Sequence, residues 1–197
     1  MSSPRRPDPD RRAAPDVTHV VVGFSKGVLT DLDELLPAGA VLVLEEPDII
    51  EARSALQKAK AHPCVAGIMA AATQDEPHAE RLTELLHRPR RVQAVIPAVE
   101  YGVVGAAVLA HAWGLPGAGP TAARTLRDKI AMRAAAGAGG LAQPRWMIAE
   151  TVHDVDELRD RYGGRCVLKP ANRQASLGCP VSLKLANDQG VSCGWTT

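Results

Sequence analysis

The sequence is poor in aromatic residues, and this scarcity limits how its core can be built. Aromatic side chains make up 3% of the 197 residues, whereas hydrophobic residues as a whole make up 46%. The core must therefore be assembled from Ala, Val, Leu and Ile, whose small side chains let helices and strands pack closely. A chain of this length suffices for one domain, or for a domain of about 100 residues and part of a second.

Net charge and long apolar runs are also lacking. Lys and Arg number 23 against 22 Asp and Glu, and a net charge of +1 gives too weak a field to gather nucleic acid or an anionic membrane. No run of about 18 apolar residues and no signal-peptide pattern occurs. The four cysteines form no C-x-x-C pair. These absences predict a cytoplasmic protein with free thiols that uses neither zinc, nucleic acid nor a membrane.

Two common nucleotide-binding signatures are missing too. The first apolar run leads into Gly23 and Gly27, but the G-x-G-x-x-G spacing of dinucleotide-binding folds is absent there. No G-x-x-x-x-G-K-[ST] loop occurs anywhere in the chain. A nucleotide, if one binds, must be held by a different arrangement.

Short apolar runs that alternate with helical patterns dominate the first part of the chain. Residues 1–16, rich in Pro and Arg, are predicted to be a disordered tail. Strands are then predicted at 17–24, 40–44, 65–69 and 92–96, and helices at 29–36, from Pro47 with Ile49, Ile50 and Leu56 on one face, at 76–86 and at 101–113. This alternation favours parallel pairing through helical crossovers, and so a Rossmann-like α/β sheet over 17–115.

A loop rich in Gly and Pro at 114–120 marks the predicted domain boundary. Beyond it the pattern indicates an incomplete α+β unit, with helices at 122–136 and 154–162 and strands at 145–149 and from 166–168. The second half therefore differs in class from the first.

Five short motifs follow one another between residues 95 and 178. They are V-I-P-A-V-E-Y at 95–101, G-L-P-G-A-G-P-T at 114–121, R-D-K at 127–129, Q-P-R-W at 143–146 and V-L-K-P-A-N-R-Q-A-S-L-G at 167–178. In this order and spacing they resemble the ATP-grasp superfamily, especially the biotin-carboxylase-like carboxylate-amine ligases.

The resemblance implies a preATP-grasp domain at 17–115 and the first part of an ATP-grasp domain at 116–178. In that family ATP activates a small carboxylate as an acyl phosphate, and an amine or another nucleophile then displaces phosphate. ATP and a carboxylate are thus the implied ligands.

Lys129 and Lys169 are the strongest candidates for contact with a nucleotide. Lys129 lies in a helix that follows the Gly/Pro loop, and Lys169 ends an apolar run before Pro170. Two fixed cations in one crevice would suit a triphosphate. The resemblance implies that Lys129 contacts the phosphates and that Lys169 contacts the α-phosphate and the adenine edge. The alternative is that both lysines lie on a solvated surface.

Three further positions are assigned by the same resemblance. Residues 171–178 match the family's flexible loop, in which Ser176 and Gly178 would contact phosphate, although an ordinary hairpin turn would explain them as well. Glu100 follows the fourth strand, where ligands approach parallel sheets, and is assigned to the substrate or to joining the domains. A favourable interaction with a helix dipole would also explain this Glu.

The family's magnesium ligands and catalytic Arg are not found in this sequence. Residues 179–197 contain no Arg or Glu, and they are interpreted as an aberrant or disordered tail. We therefore expect little or no turnover from the chain alone. We also expect it to associate, either as a homodimer or with a companion chain. Two other functions stay open, namely a noncatalytic nucleotide- or metabolite-binding module that works with a partner subunit, and a Rossmann-type oxidoreductase or transferase.

Overall fold

The computed structural model describes residues 16–163, 166–169 and 171. They fall into two compact units that meet between Arg127 and Asp128. The predicted boundary of the family's domains at 115/116 lies before the helix Pro120–Arg127 and stays a prediction. Of the predicted terminal tails, residues 1–15 and 179–197 lie outside the described residues.

The first unit is a parallel sheet flanked by helices, which confirms the predicted α/β class. Among the described residues its strands are β1 (His19–Val22), β2 (Val41–Glu45), β3 (Val65–Ala70) and β4 (Ala94–Pro97). All neighbouring pairs are parallel and the strand order is β3-β2-β1-β4. The chain adds β2 and β3 on one side of β1 and then places β4 on the other side. The topological switch point therefore lies between β1 and β4.

Helices cover both faces of this sheet. They are α1 (Lys26–Leu35), α2 (Pro47–Ala52), α3 (Ala55–Ala59), α4 (Arg81–Leu85), α5 (Val103–Ala112) and α6 (Pro120–Arg127). Because successive strand residues point to opposite faces, Val21 packs with Leu29 of α1 on one face, whereas Val20 and Val22 pack with Leu109 of α5 on the other. The strands are apolar on both sides, as expected of a parallel sheet.

The described part of the second unit contains α7 (Lys129–Ala138) and α8 (Val152–Tyr162). The strands predicted at 145–149 and from 166–168 are wrong, since no described residue of this unit is in a strand. A strand needs a neighbouring strand for its backbone hydrogen bonds, and the described residues of this unit provide none.

Three predicted helices are interrupted. The helix predicted from Pro47 breaks at Ser54, whose φ of 49° is left-handed, and Leu56 is 54% exposed rather than on a buried face. The segment predicted as helix over 76–86 forms a 3₁₀ turn at Glu76–His78 before α4 begins. Residues 122–136 form parts of α6 and α7, separated by the extended backbone of Asp128.

Candidate functional site

Glu45, at the carboxyl end of β2, organises the edge of the sheet where ligands approach parallel strands. Its side chain is fully buried, and its Oε2 accepts hydrogen bonds from the backbone N of Phe24 at 2.6 Å and from the Tyr101 hydroxyl at 2.9 Å. Its Oε1 accepts from the backbone N of Glu46 at 2.8 Å. Burial, with the Glu45 carboxylate beside it, raises the pKa of the Tyr101 phenol, so this hydroxyl stays a donor. Glu45 thus ties together the chain segments that follow β1, β2 and β4.

Val99 packs against Gly23 at the switch point beside β1. Gly23 follows β1 with a φ of 90°, and a Cβ built on it would lie 1.9 Å from the Cγ2 of Val99. A dinucleotide-binding turn uses glycine so that the backbone can approach pyrophosphate. Here the space beside the glycine holds a valine, and the first N–H after it binds the Glu45 carboxylate. Val99 therefore excludes a side chain at position 23.

Arg127, the last residue of α6, joins two carboxylates. Its guanidinium is 9% exposed; its Nε and Nη2 each lie 2.7 Å from Glu76 Oε1, and its Nη1 lies 2.7 Å from Glu100 Oε1. Glu76 follows β3 and Glu100 follows β4, which are the outer strands of the sheet. One buried cation therefore holds the chain segments that leave both edges of the sheet.

Glu100 lies where the sequence places it, in the turn between β4 and α5. It begins the 3₁₀ turn Glu100–Gly102, and its side chain is 48% exposed. Its Oε1 pairs with Arg127, and its predicted role towards a substrate stays a prediction.

Lys129 begins α7, and the residue before it caps that helix. The Asp128 carboxylate accepts hydrogen bonds from the backbone N of Ile130 at 2.8 Å and of Ala131 at 3.0 Å. An N-cap Asp satisfies N–H groups that the helix itself leaves unpaired. Both N–H groups are therefore already hydrogen-bonded, and the contact of Lys129 with phosphate stays a prediction.

A backbone hydrogen bond joins the start of α7, which contains Lys129, to the segment that follows Lys169. The backbone N of Lys129 donates to the carbonyl O of Ala171 at 2.9 Å. Lys169 lies two residues before that carbonyl, and its side chain is exposed, whereas Lys129 is half-buried. Ser176 and Gly178, the other predicted phosphate contacts, lie outside the described residues. That both ammonium groups face one crevice stays a prediction.

Near the amino end of β3, Asp33, His62 and Cys64 lie close together. His62 Nδ1 lies 2.7 Å from Asp33 Oδ2, and the backbone N of Cys64 donates to Asp33 Oδ1 at 2.9 Å. The thiol itself is buried and contacts the carbonyl O of Leu29 at 3.9 Å. Burial, followed by the hydrogen bond and charge of Asp33, raises the pKa of Cys64 to about 12. The thiol therefore stays protonated, and the group stabilises structure.

A surface cavity of about 410 Å³ lies beside the chain segment after β3. Three of its polar lining residues bind one another, since Asp75 lies 2.9 Å from His78 Nδ1 and 3.5 Å from Arg81 Nη1. Of the predicted site residues that the structure describes, Glu100, Lys129 and Lys169, none lines it.

Neither a metal centre nor a membrane span is found in the part of the chain that the structure describes. In 16–163, 166–169 and 171, no three His, Cys, Asp or Glu side chains converge on a point where a metal ion would fit. No helix among these residues has the length and apolar character needed to cross a bilayer.

Sequence reasoning missed three of the residues that shape this edge. Glu45 could have been found as the charged residue that ends the apolar run V-L-V-L-E. Tyr101 and Arg127 gave no such signal, because the partner of Tyr101 is 56 residues distant and those of Arg127 are 51 and 27 residues distant.

Among the described residues, the first unit is a parallel α/β sheet flanked by helices and the second unit contains the helices α7 and α8. Three solved structures share this fold with probability 1.00. They are an L-amino acid ligase from Bacillus licheniformis (TM-score 0.59, 20% identity), a phosphoribosylglycinamide synthetase from Anaerococcus prevotii (0.52, 13%) and an N5-carboxyaminoimidazole synthetase from Staphylococcus aureus complexed with ADP (0.50, 14%).

The alignments cover 81%, 79% and 80% of this chain but only 38%, 37% and 41% of the three enzymes. The chain thus spans about two fifths of the length of the structures that it matches. No family model matches the sequence, and no curated protein matches it significantly. These enzymes are ATP-grasp ligases, so the chain has the fold of the N-terminal portion of an ATP-grasp ligase, as its motifs predicted.

Proposed function

We propose that this chain is the ATP-binding N-terminal portion of an ATP-dependent carboxylate-amine ligase, or of a related carbon–nitrogen ligase or carboxylase, that acts through an acyl phosphate. The fold shared with three ligases is the first support, and one of these was solved with ADP. Fold alone does not determine function, so the proposal also depends on residues that could hold a triphosphate.

The hydrogen bond between the backbone N of Lys129 and the carbonyl O of Ala171 carries the proposal. It brings the start of α7 beside the segment that contains Lys169, so that two ammonium groups belong to adjoining pieces of backbone. Fixed cations lower the energy of a triphosphate and of the charge that develops during phosphoryl transfer. We assign phosphate binding to Lys129, and contact with the α-phosphate and adenine edge to Lys169. Ser176 and Gly178 complete the proposed site.

The proposed reaction has two steps. A carboxylate oxygen attacks the γ-phosphorus of ATP, ADP leaves, and an acyl phosphate forms. The amine then attacks the acyl carbon and phosphate leaves. In the first step the lysines of this chain would offset the repulsion between the carboxylate and the triphosphate. Glu100 is assigned to the substrate.

Magnesium would supply charge neutralisation and orientation of the triphosphate. In the described part of the chain no three His, Cys, Asp or Glu side chains are placed to hold a metal ion. For this reason we propose that the 197-residue chain binds ATP but releases no phosphate on its own. The alternative, a noncatalytic nucleotide- or metabolite-binding module that works with a partner subunit, makes the same prediction for the isolated chain. Adding a candidate partner distinguishes the two, since only a ligase gains ATP-dependent phosphate release.

Calorimetry with ATP, with and without magnesium, tests the proposal. Lys169→Ala and Lys129→Ala should each weaken ATP binding about tenfold or more, because each removes a charge-assisted contact. Lys58→Ala is the matched control, since Lys58 is an exposed lysine of α3 in the other unit. Equal affinities in all four proteins, or no binding by the unmodified chain, would contradict the assignment.

A further inference from the structure

Arg127 occupies an unusual position for a charged side chain. It is 9% exposed, and a buried guanidinium is costly unless it is paired. Its partners come from opposite margins of the sheet, because Glu76 follows β3 and Glu100 follows β4 in the order β3-β2-β1-β4. A lysine has a single ammonium and could not reproduce this fork, whereas the planar guanidinium offers three nitrogens in fixed directions.

The two carboxylates are not equivalent. Glu76 is 25% exposed and receives two of the three nitrogens, whereas Glu100 is 48% exposed and receives one. A second ion pair, Arg124 Nη2 to Glu80 Oε1 at 2.6 Å, holds α6 to the same segment after β3. Arg127 is thus anchored on the β3 side, and Glu100 is the member that reaches towards solvent.

We propose that Arg127 is a positioning residue. Its guanidinium is anchored by Glu76 and holds the Glu100 carboxylate in place at the carboxyl edge of the sheet. Only the assignment of Glu100 to a substrate depends on the proposed function. The positioning itself is a property of the first unit. It predicts local loosening of the turns that carry Glu76 and Glu100, without loss of the sheet, when the guanidinium is removed.

Amide hydrogen exchange by NMR on the full chain measures this directly. The amides of His78 and Gly102 report the two turns, since each donates within its turn at 3.0 Å, and the amide of Val41, bonded to the carbonyl O of Cys64 at 2.8 Å, reports the sheet. Arg127→Met should speed exchange at His78 and Gly102 about tenfold or more, because it removes charge-assisted hydrogen bonds, and should leave Val41 within about twofold.

Single substitutions separate the two sides and serve if Arg127→Met fails to fold. Glu100→Gln should speed amide exchange at Gly102 but not at His78. Arg127→Lys should keep exchange slow at no more than one of these two amides. Equally faster exchange at all three amides would mean that Arg127 only stabilises the unit as a whole, which would contradict the proposal. Unchanged exchange at Gly102 in Arg127→Met would overturn it as well. ATP calorimetry on the unmodified chain reports separately on the proposed function, because these exchange rates need no ligand.

Discussion

The two units of the chain differ in where their helices find apolar partners. In the first unit α1 and α5 bury leucine and valine against a sheet that is apolar on both faces. In the second, neither α7 nor α8 has a fully buried residue, and four aliphatic side chains are more than half exposed: Leu141, Ile148, Val152 and Val167. Most helical stability in proteins comes from packing of an apolar face. We therefore expect the first unit to hold most of the chain's folding free energy, while capping contributes relatively more in the second.

Truncation in the core of the first unit should have the largest effect. Leu29→Ala removes a fully buried side chain from α1 and should lower the free energy of unfolding by about 2–5 kcal/mol. Leu35→Ala, in the same helix but 75% exposed, is the matched control and should change it by about 0.5 kcal/mol or less. Urea denaturation followed by circular dichroism measures both. Comparable losses would mean that α1 does not pack as described.

Substitution of Gly23, which packs against Val99, should have the next largest effect. Gly23→Ala combines a left-handed φ with a clash against Val99 and should cost about 2–4 kcal/mol. Gly114→Ala has a similar φ of 65° but no neighbour within 4 Å of its Cβ, so that it should cost only about 1 kcal/mol. Thermal denaturation of both variants isolates the clash. Partial rescue of Gly23→Ala by Val99→Ala would confirm which side chain fills the space.

Removal of a helix cap tests the second unit by the interaction that should matter most there. Asp128→Ala leaves the N–H groups of Ile130 and Ala131 without their acceptor and should destabilise α7 by about 1 kcal/mol. Asp128→Ser keeps a capping oxygen and should lose much less. Hydrogen exchange along α7 is the measurement, with the amide of Val41 as the reference in the sheet. Faster exchange in the sheet as well would contradict the separation into two units.

The smallest effect is expected from acidification, which protonates the Asp154 carboxylate at the start of α8. The pKa of Asp154 is lowered because its carboxylate accepts hydrogen bonds from the backbone N of Thr151 and of Glu150, and then from the Thr151 hydroxyl. This stabilisation of α8 is fully present above the ordinary pKa of 3.8 and is lost as pH falls through the lowered value. Helical circular dichroism of Asp154→Asn should therefore change less than that of the unmodified chain between about pH 5 and 2. Identical acid titrations would show that this capping contact does not form.

Prediction from sequence succeeded where local pattern and burial agree. The apolar runs of β1 to β4 and the wholly apolar α5 were predictable, because a parallel sheet demands side chains that are apolar on both faces. The same reading gave wrong strands at 145–149 and from 166–168, since strand formation depends on a partner that a local pattern does not contain.

The contacts of Arg127 were unpredictable for a similar reason. Its carboxylate partners are brought to it by the order of strands rather than by proximity in the chain. Of the predicted site, Glu100 lies in the expected turn, and Lys129 and the segment of Lys169 adjoin through backbone. Whether their ammonium groups converge depends on side-chain directions that spacing in the sequence does not determine.

Glu45 has a consequence for attempts to give this scaffold a new cofactor. The turn after β1 already has a resident negative charge, supplied by the neighbouring strand and held by two backbone N–H groups and the Tyr101 hydroxyl. Writing a G-x-G-x-x-G sequence into that turn would place an incoming pyrophosphate against this carboxylate. A designer would first have to exchange Glu45 for a neutral residue, and would then lose the tie that holds three chain segments at the edge of the sheet.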